Sequence, residues 1–477
     1  SSHTKMSKTN KKNSETSPKK RKTSKLKQES DLTEKNQVKD ENKTLEPSKI
    51  SESKDERKQD LYNKLKVVHT TSPSILSSSS GFENYRGIIN LCLLLLVLSN
   101  FRVALDNILK YGVLVDPYII LVFLENPYSW PSATLVILSN VFIQVCFYAE
   151  RLLSKGNISE RFGCCIHVFN ICLTILVPIY VVFKFQPLPY FATMTLMWYT
   201  SVVLKMVSYA SVNWWCREDA IINRLKDVQQ SGPVKYPHNL TQKDLYYFML
   251  APTFCYELNF PQTQKIRKRF LIRRILEAVF LYSLILALVQ QWLVPTVKNS
   301  MHSYKELDLG RLFERIMKLA IPNHLLWLLA FYAYFHSFLN IVSEVLYFGD
   351  RTFYKDWWNA PNVAIFWQNW NIPIHRWAKR HVYEPMLRNK YSKSQASMFV
   401  FFLSAFFHEF IVSIPLQMFR PYAFLSMLMQ FPLAILTSSM KNPWGNIMMW
   451  LSLIIGQPLA IMMYYHDYLV EHSVIKV

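Results

Sequence analysis

The seven cysteines contain no Cys-x-x-Cys, and their only close spacing is the adjacent pair Cys164 and Cys165 inside an apolar run. Neither a zinc site nor a disulfide framework is indicated, and the thiols read as buried apolar groups. No His stands four residues after His408, where Val412 sits, so the zinc-protease helix motif is absent too. Residues 1–66 hold only nine members of the AVILMFWYC set, too few to bury a core. No apolar stretch follows their basic start, which excludes a secretory signal reading of this segment. No internal repeat of 20–50 residues is visible. No soluble basic domain accompanies the net charge of +21, which removes the main argument for a nucleic-acid partner.

What is present is apolar mass and unevenly placed charge. The AVILMFWYC set makes up 51% of 477 residues. With the tail set aside the share rises to about 57%, above that of an ordinary soluble domain. The tail carries 19 Lys/Arg against 11 Asp/Glu, leaving 35 against 22 on the remainder. We therefore expect a disordered, charged, cytosolic tail over 1–66 and a docking or dimerisation arm over 67–86, where Val67, Val68, Ile75, Leu76 and Phe82 interrupt a Ser-rich stretch.

From residue 87 onward the composition predicts an all-α membrane protein. A bilayer core of about 30 Å needs roughly 20 apolar residues per helix. Nine spans are expected near 88–105, 131–149, 163–184, 190–213, 275–295, 316–347, 397–417, 421–438 and 446–470. The sixth is too long for one perpendicular crossing and contains Pro322 and Asn323, which predicts tilt, a kink or a split. With the tail in the cytoplasm, the loops 214–274 and 348–396 face the same side and hold most of the remaining Lys and Arg. The positive-inside rule thus predicts a cytosolic N-terminus and a lumenal C-terminus. The sequons at Asn42, Asn157 and Asn239 all fall on the cytosolic side and are expected to carry no glycan.

Candidate chemistry sits in the expensive places. Ser404-Ala-Phe-Phe-His408-Glu409 lies inside the span 397–417. A carboxylate at mid-bilayer costs about 2.5 to 3.5 kcal/mol on the insertion scale, so such residues face a cavity or a partner. His408 suits a general base because its ordinary pKa lies near operating pH. Glu409, adjacent in sequence, points about 100° away on a helix and could orient helices or hold a neighbour. The loop 348–396 carries five Trp between 357 and 377, interleaved with Asn, Gln, His and Arg. An interfacial aromatic belt would account for part of this. The segment could also stack a heterocycle, offer amide donors to an oxyanion and bind phosphates. Gln430 and Gln457 sit in apolar spans with Pro432 and Pro458 close behind, as expected of a polar chamber or of interhelical hydrogen bonds. His466-Asp467, at the far end of the last span, reads as a snorkelling pair rather than a metal site.

In these segments the chain resembles the type-1 diacylglycerol O-acyltransferases of the membrane-bound O-acyltransferase family. The motifs are Phe353-Tyr-Lys-Asp-Trp-Trp-Asn359, Trp367-Gln-Asn-Trp-Asn-Ile-Pro-Ile-His375, Ala251-Pro-Thr-Phe-Cys-Tyr-Glu-Leu-Asn-Phe-Pro261, Gly81-Phe-Glu-Asn-Tyr-Arg-Gly87, Asn126-Pro-Tyr-Ser-Trp130 and Ile454-Ile-Gly-Gln-Pro458. They cover about residues 75–477. The first motif and the His-Glu pair are shared with sterol acyltransferases, whereas the second and third mark the diacylglycerol branch.

The resemblance implies a nine-span enzyme of the endoplasmic reticulum, built around an intramembrane reaction chamber, that moves a fatty acyl group from acyl-CoA to diacylglycerol. It implies His408 as base and Asn371 as the loop's polar group, serving as oxyanion donor or CoA orienter, with Glu409, Met427, Gln430 and Gln457 lining the chamber. It further implies Gln368, Trp370, His375, Tyr383, Lys393 and Ser404 along the acyl-CoA path. Acyl-CoA is then a co-substrate, with no cofactor and no metal expected. Homodimers or dimers of dimers are expected, the arm 67–86 packing on a partner. Other acceptors, a sterol, retinol or a fatty alcohol, stay open, as does, from another class, a lipid or ion transporter lined by the same intramembrane polar groups.

Overall fold

The structure, a computed structural model, describes residues 86–116, 118, 125, 130–222, 233–301, 309–441 and 443–471. The tail 1–66, the arm up to residue 85, the sequon at Asn42 and most of the motifs 81–87 and 126–130 lie outside the described residues. Contacts divide the chain into the units Ser1–Ile89 and Asn90–Val477. Only the opening turn of the first helix is described in the former.

Among the described residues the structure is helical, with one isolated bridge between Gln262 and Phe348. Helix α1 (Arg86–Tyr111) leaves Leu93, Leu94, Leu95 and Leu96 each more than half exposed, as a lipid-facing helix must. Helices α2 (Trp130–Ser154), α3 (Glu160–Phe185) and α4 (Pro189–Ile222) form a bundle around Leu135, Phe142, Tyr199, Met206 and Tyr209. In α3 the buried stripe is Asn170, Thr174, Pro178 and Val182, at four-residue spacing, while larger apolar residues such as Phe169 and Leu176 point out. Small and polar residues inside, bulky apolar ones outside, is the pattern of helices packed within lipid. Ser159 caps α3 by accepting from the Phe162 N–H.

The chain returns through α5 (Gln242–Leu250) to α6 (Lys268–Leu288), which continues through a π-helical turn (Val289–Leu293) into Val294–Met301. Helix α7 (Leu309–Phe331) stays helical through Pro322, and its irregularity is instead a π-helical turn at Tyr332–Phe338 before Leu339–Val345. The expected distortion therefore falls about three turns beyond the proline. The predicted loop 348–396 is mostly helical, with α8 (Val363–Trp370) and α9 (Ile372–Ala378) running on through a π-helical turn (Lys379–Tyr383) to Glu384–Arg388.

A Ser392/Gln395 capping box starts α10 (Lys393–Val412), which ends five residues before the expected end of its span. The next predicted span is two short helices, α11 (Tyr422–Leu428) and α12 (Gln430–Ser438), joined at Met429. Helix α13 (Trp444–Glu471) packs on α7 through Ile316, Leu319 and Met462. The other predicted spans each fall largely on one continuous helical run. Six, including α10 and α13, are long and apolar enough to cross a membrane by length and composition.

Candidate active site

Phe401, Ser404 and His408 share one face of α10 by their spacing of three and four residues. That face meets α12, where the Phe401 and Phe431 rings lie 5.9 Å apart. His408 Nδ1 lies 2.7 Å from the backbone carbonyl of Ser404. A carbonyl only accepts, so Nδ1 carries the proton and the lone pair is on Nε2. Nε2 has no hydrogen-bond partner among the described residues, and the side chain is exposed although it sits on a predicted span. The Ser404 hydroxyl adds only a long contact of 3.5 Å to Nδ1.

Glu409 faces elsewhere. Its carboxylate accepts from the Ser413 hydroxyl, from Tyr464 OH at 2.8 Å and from the Phe424 N–H at 2.8 Å. Tyr464 OH in turn accepts from the Ala423 N–H at 2.8 Å. The structure thus ties Glu409 to α11 and α13 rather than placing it beside His408. Three donors thus satisfy a polar group that would otherwise be costly in an apolar setting.

Three amides share a polarity. Asn371 caps α9 by accepting from the Ile374 N–H at 3.2 Å. Gln430 Oε1 accepts from Trp367 Nε1 at 3.4 Å, and Gln457 Oε1 accepts from Asn323 Nδ2 at 3.0 Å. Each oxygen is committed to the protein, and none of the three amines has a partner among the described residues.

The aromatic residues between 353 and 370 are largely spent on packing. Trp357 is 3% exposed, and Trp370 stacks on Trp327 of α7 at 4.4 Å with near-parallel rings. Phe331, Phe335, Phe366 and Trp450 complete the cluster. Trp370, expected along an acyl-CoA path, is half-buried and packs against this cluster from the residue before Asn371. The Asn446 amide donates to the Ala360 carbonyl at 2.7 Å, and the Val363 N–H donates to Thr437 at 3.2 Å. These bonds hold α8 against α12 and α13.

Gln368 and Lys393 are exposed, and Tyr383 and His375 are half-buried. Burial, with Lys379, Lys355 and Arg376 adding to it, lowers the His375 pKa, so this ring is neutral at pH 7. Met427 is buried in α11. Asp467 does more than snorkel, since it pairs with Arg420 at 2.9 Å and accepts from Tyr422 at 2.7 Å. Among the described residues no three His, Cys, Asp or Glu side chains converge to hold a metal.

Several supporting residues escaped the sequence reading. Lys205, fully inside α4, donates to the carbonyls of Phe248, Met249 and Ala251 at the end of α5. Its signal was a lone charge in an apolar run. Ser208 accepts from the Tyr256 N–H and shares a hydrogen bond with His381 Nε2, joining the 251–261 segment to α4 and to the turn after α9. Arg380 donates to the Tyr256 carbonyl at 3.0 Å. Asn239 is 1% exposed and bonded to Asn213 and Tyr256.

An imidazole nitrogen without a partner among the described residues, on a helix long and apolar enough to cross a membrane, is the candidate group-transfer centre. Residues 168–466 match the model of the MBOAT, membrane-bound O-acyltransferase family, and the chain belongs to that family. It is thus a multi-pass membrane O-acyltransferase. It is 50% identical to diacylglycerol O-acyltransferase 1 of Bos taurus over 414 residues, covering 84% of this chain and 85% of that protein. Identity to diacylglycerol O-acyltransferase 1 of Homo sapiens is also 50%, over 410 residues and 84% of each chain. The namesake of Dictyostelium discoideum is 37% identical over 407 residues, covering 85% of this chain and 66% of that protein.

Proposed function

We propose that this chain is an acyl-CoA:diacylglycerol O-acyltransferase with His408 as its general base. The observation that carries the base is the bond from Nδ1 to the Ser404 carbonyl, which leaves the Nε2 lone pair open at membrane depth. The half-identical relatives named for diacylglycerol support the acceptor.

Acyl-CoA enters from the cytosolic face beside Gln368, His375, Tyr383 and Lys393, and diacylglycerol enters laterally from lipid. His408 Nε2 takes the proton of the free hydroxyl as that oxygen attacks the thioester carbonyl. The tetrahedral oxyanion is met by outward amide donors, of which Asn371 is one and Gln430 and Gln457 are the others. Collapse expels the CoA thiolate, which takes the proton back from the imidazolium. Triacylglycerol and free CoA leave. Glu409 holds α10, α11 and α13 so that His408 faces the chamber, and Met427 and Ser404 complete its wall. The enzyme sits in the endoplasmic reticulum as a homodimer or dimer of dimers, with a cytosolic tail over 1–66, a docking arm over 67–86, an acyltransferase domain over 87–477 and a lumenal C-terminus.

The test supplies labelled long-chain acyl-CoA together with diacylglycerol, cholesterol and a fatty alcohol to membranes carrying the chain. Label is expected mainly in triacylglycerol. In His408→Ala it should fall by about 10² to 10⁴, the usual worth of general-base help, with expression unchanged. Label mainly in sterol or wax ester would refute the acceptor, and a folded, active His408→Ala would refute the base.

A further inference from the structure

We propose that Asn323 is a positioning residue for acyl transfer, acting by turning the Gln457 amine toward the reacting oxygen. The inference rests on the acyl-transfer reading of the chamber and names a residue outside it.

A glutamine amide has two nearly isosteric orientations, one presenting a donor and the other an acceptor. In an apolar span little else distinguishes them. Asn323 Nδ2 can only donate, and it lies 3.0 Å from Gln457 Oε1. The oxygen is thereby committed to Asn323, and Nε2 has no partner among the described residues. Asn323 is 9% exposed on α7, so it cannot swing into solvent and release its partner. Four residues on, Trp327 stacks on Trp370, the residue that precedes Asn371. The Asn323–Gln457 pair therefore sits one helical turn from the element that carries Asn371, and Trp367 fixes Gln430 in the same sense.

Helix-to-helix adhesion alone needs only a donor and an acceptor, in either direction. Chemistry needs this direction, because the group that develops negative charge is an acceptor. That difference makes the role measurable.

The experiment is steady-state kinetics of the full chain in lipid nanodiscs, with oleoyl-CoA and dioleoylglycerol, for Asn323→Ala, Gln457→Ala, the double variant and Gln457→Glu. Thermal unfolding of each is followed in parallel. Gln457→Glu keeps the Asn323 bond but replaces the outward donor with an acceptor. It is expected to lower kcat about 10²-fold, as loss of one oxyanion donor does, with KM within about twofold. Asn323→Ala is expected to lower kcat about 10-fold, and the double variant no further than Gln457→Ala, because coupled residues are not additive. Wild-type kcat in Gln457→Glu would overturn the proposal, as would losses that multiply in the double variant. Where Asn323→Ala does not fold, Gln457→Glu decides by itself. Activity surviving in His408→Ala would count against the base and leave the Asn323–Gln457 coupling as measured.

Discussion

His408 and Asp244 illustrate how one environment selects a tautomer and another a protonation state. At His408 a backbone carbonyl that can only accept fixes the proton on Nδ1, so the ring is oriented by main chain rather than by an acidic partner. Asp244, in α5, accepts from Tyr256 OH, but burial dominates and pushes its pKa up to about 6. A carboxyl raised above its unfolded value contributes stability that is complete below the unfolded pKa near 3.8 and lost as pH rises through about 6. Between pH 5 and pH 7.5 the wild-type melting temperature is therefore expected to fall relative to Asp244→Asn, whose amide does not ionise. Parallel melting curves across that range, read by tryptophan fluorescence on purified protein, would disprove the shift.

At the scale of elements the tightest constraint is the approach of α13 to the segment before α8. A Cβ added at Gly445 would run into the Pro361 carbonyl oxygen, a backbone atom that cannot turn aside. Gly445→Ala should push the two elements apart and cost about 1 to 3 kcal/mol, as overpacking does. Because α8 carries Trp367 and leads into Asn371, activity should fall by more than stability predicts. A variant that melts and turns over like wild type would show that the contact relaxes without effect. The same region marks what was legible in sequence. The spans could be read because a bilayer demands long apolar runs, and His408 because a titratable group there demands a reason. The roles of Trp357 and Trp370 could not, since a tryptophan-rich run serves an interface, a ligand or a core equally well until its partner Trp327 on α7 is known. Nor could the end of α10. Hydropathy continues to Ile414, while the helix ends at Val412, where the Ser413 hydroxyl is drawn to Glu409 and Pro415 offers no N–H to extend it. Asn323 was visible only as a neighbour of Pro322, because its worth lies in Gln457, 134 residues away.

For the whole molecule, charge sets the expected orientation. Lys and Arg concentrate in 214–274 and 348–396, and the bonds of Ser208 to Tyr256 and His381 join these two segments to α4. An odd number of crossings would then place the end of α13 opposite both. Asn157 is exposed between α2 and α3, so its modification depends only on which side of the membrane it occupies. Asn239 is enclosed and spends its amide on Asn213 and Tyr256, so the folded chain offers no acceptor nitrogen whichever side it faces. In microsomes we expect both to stay unmodified, while a sequon on a flexible extension fused after Val477 is glycosylated. The readout is an endoglycosidase-sensitive shift in gel mobility. Glycan at Asn157 with none on the extension would invert the topology and move the basic loops to the lumen. Glycan on the extension alone fixes the side from which the thioester must reach His408.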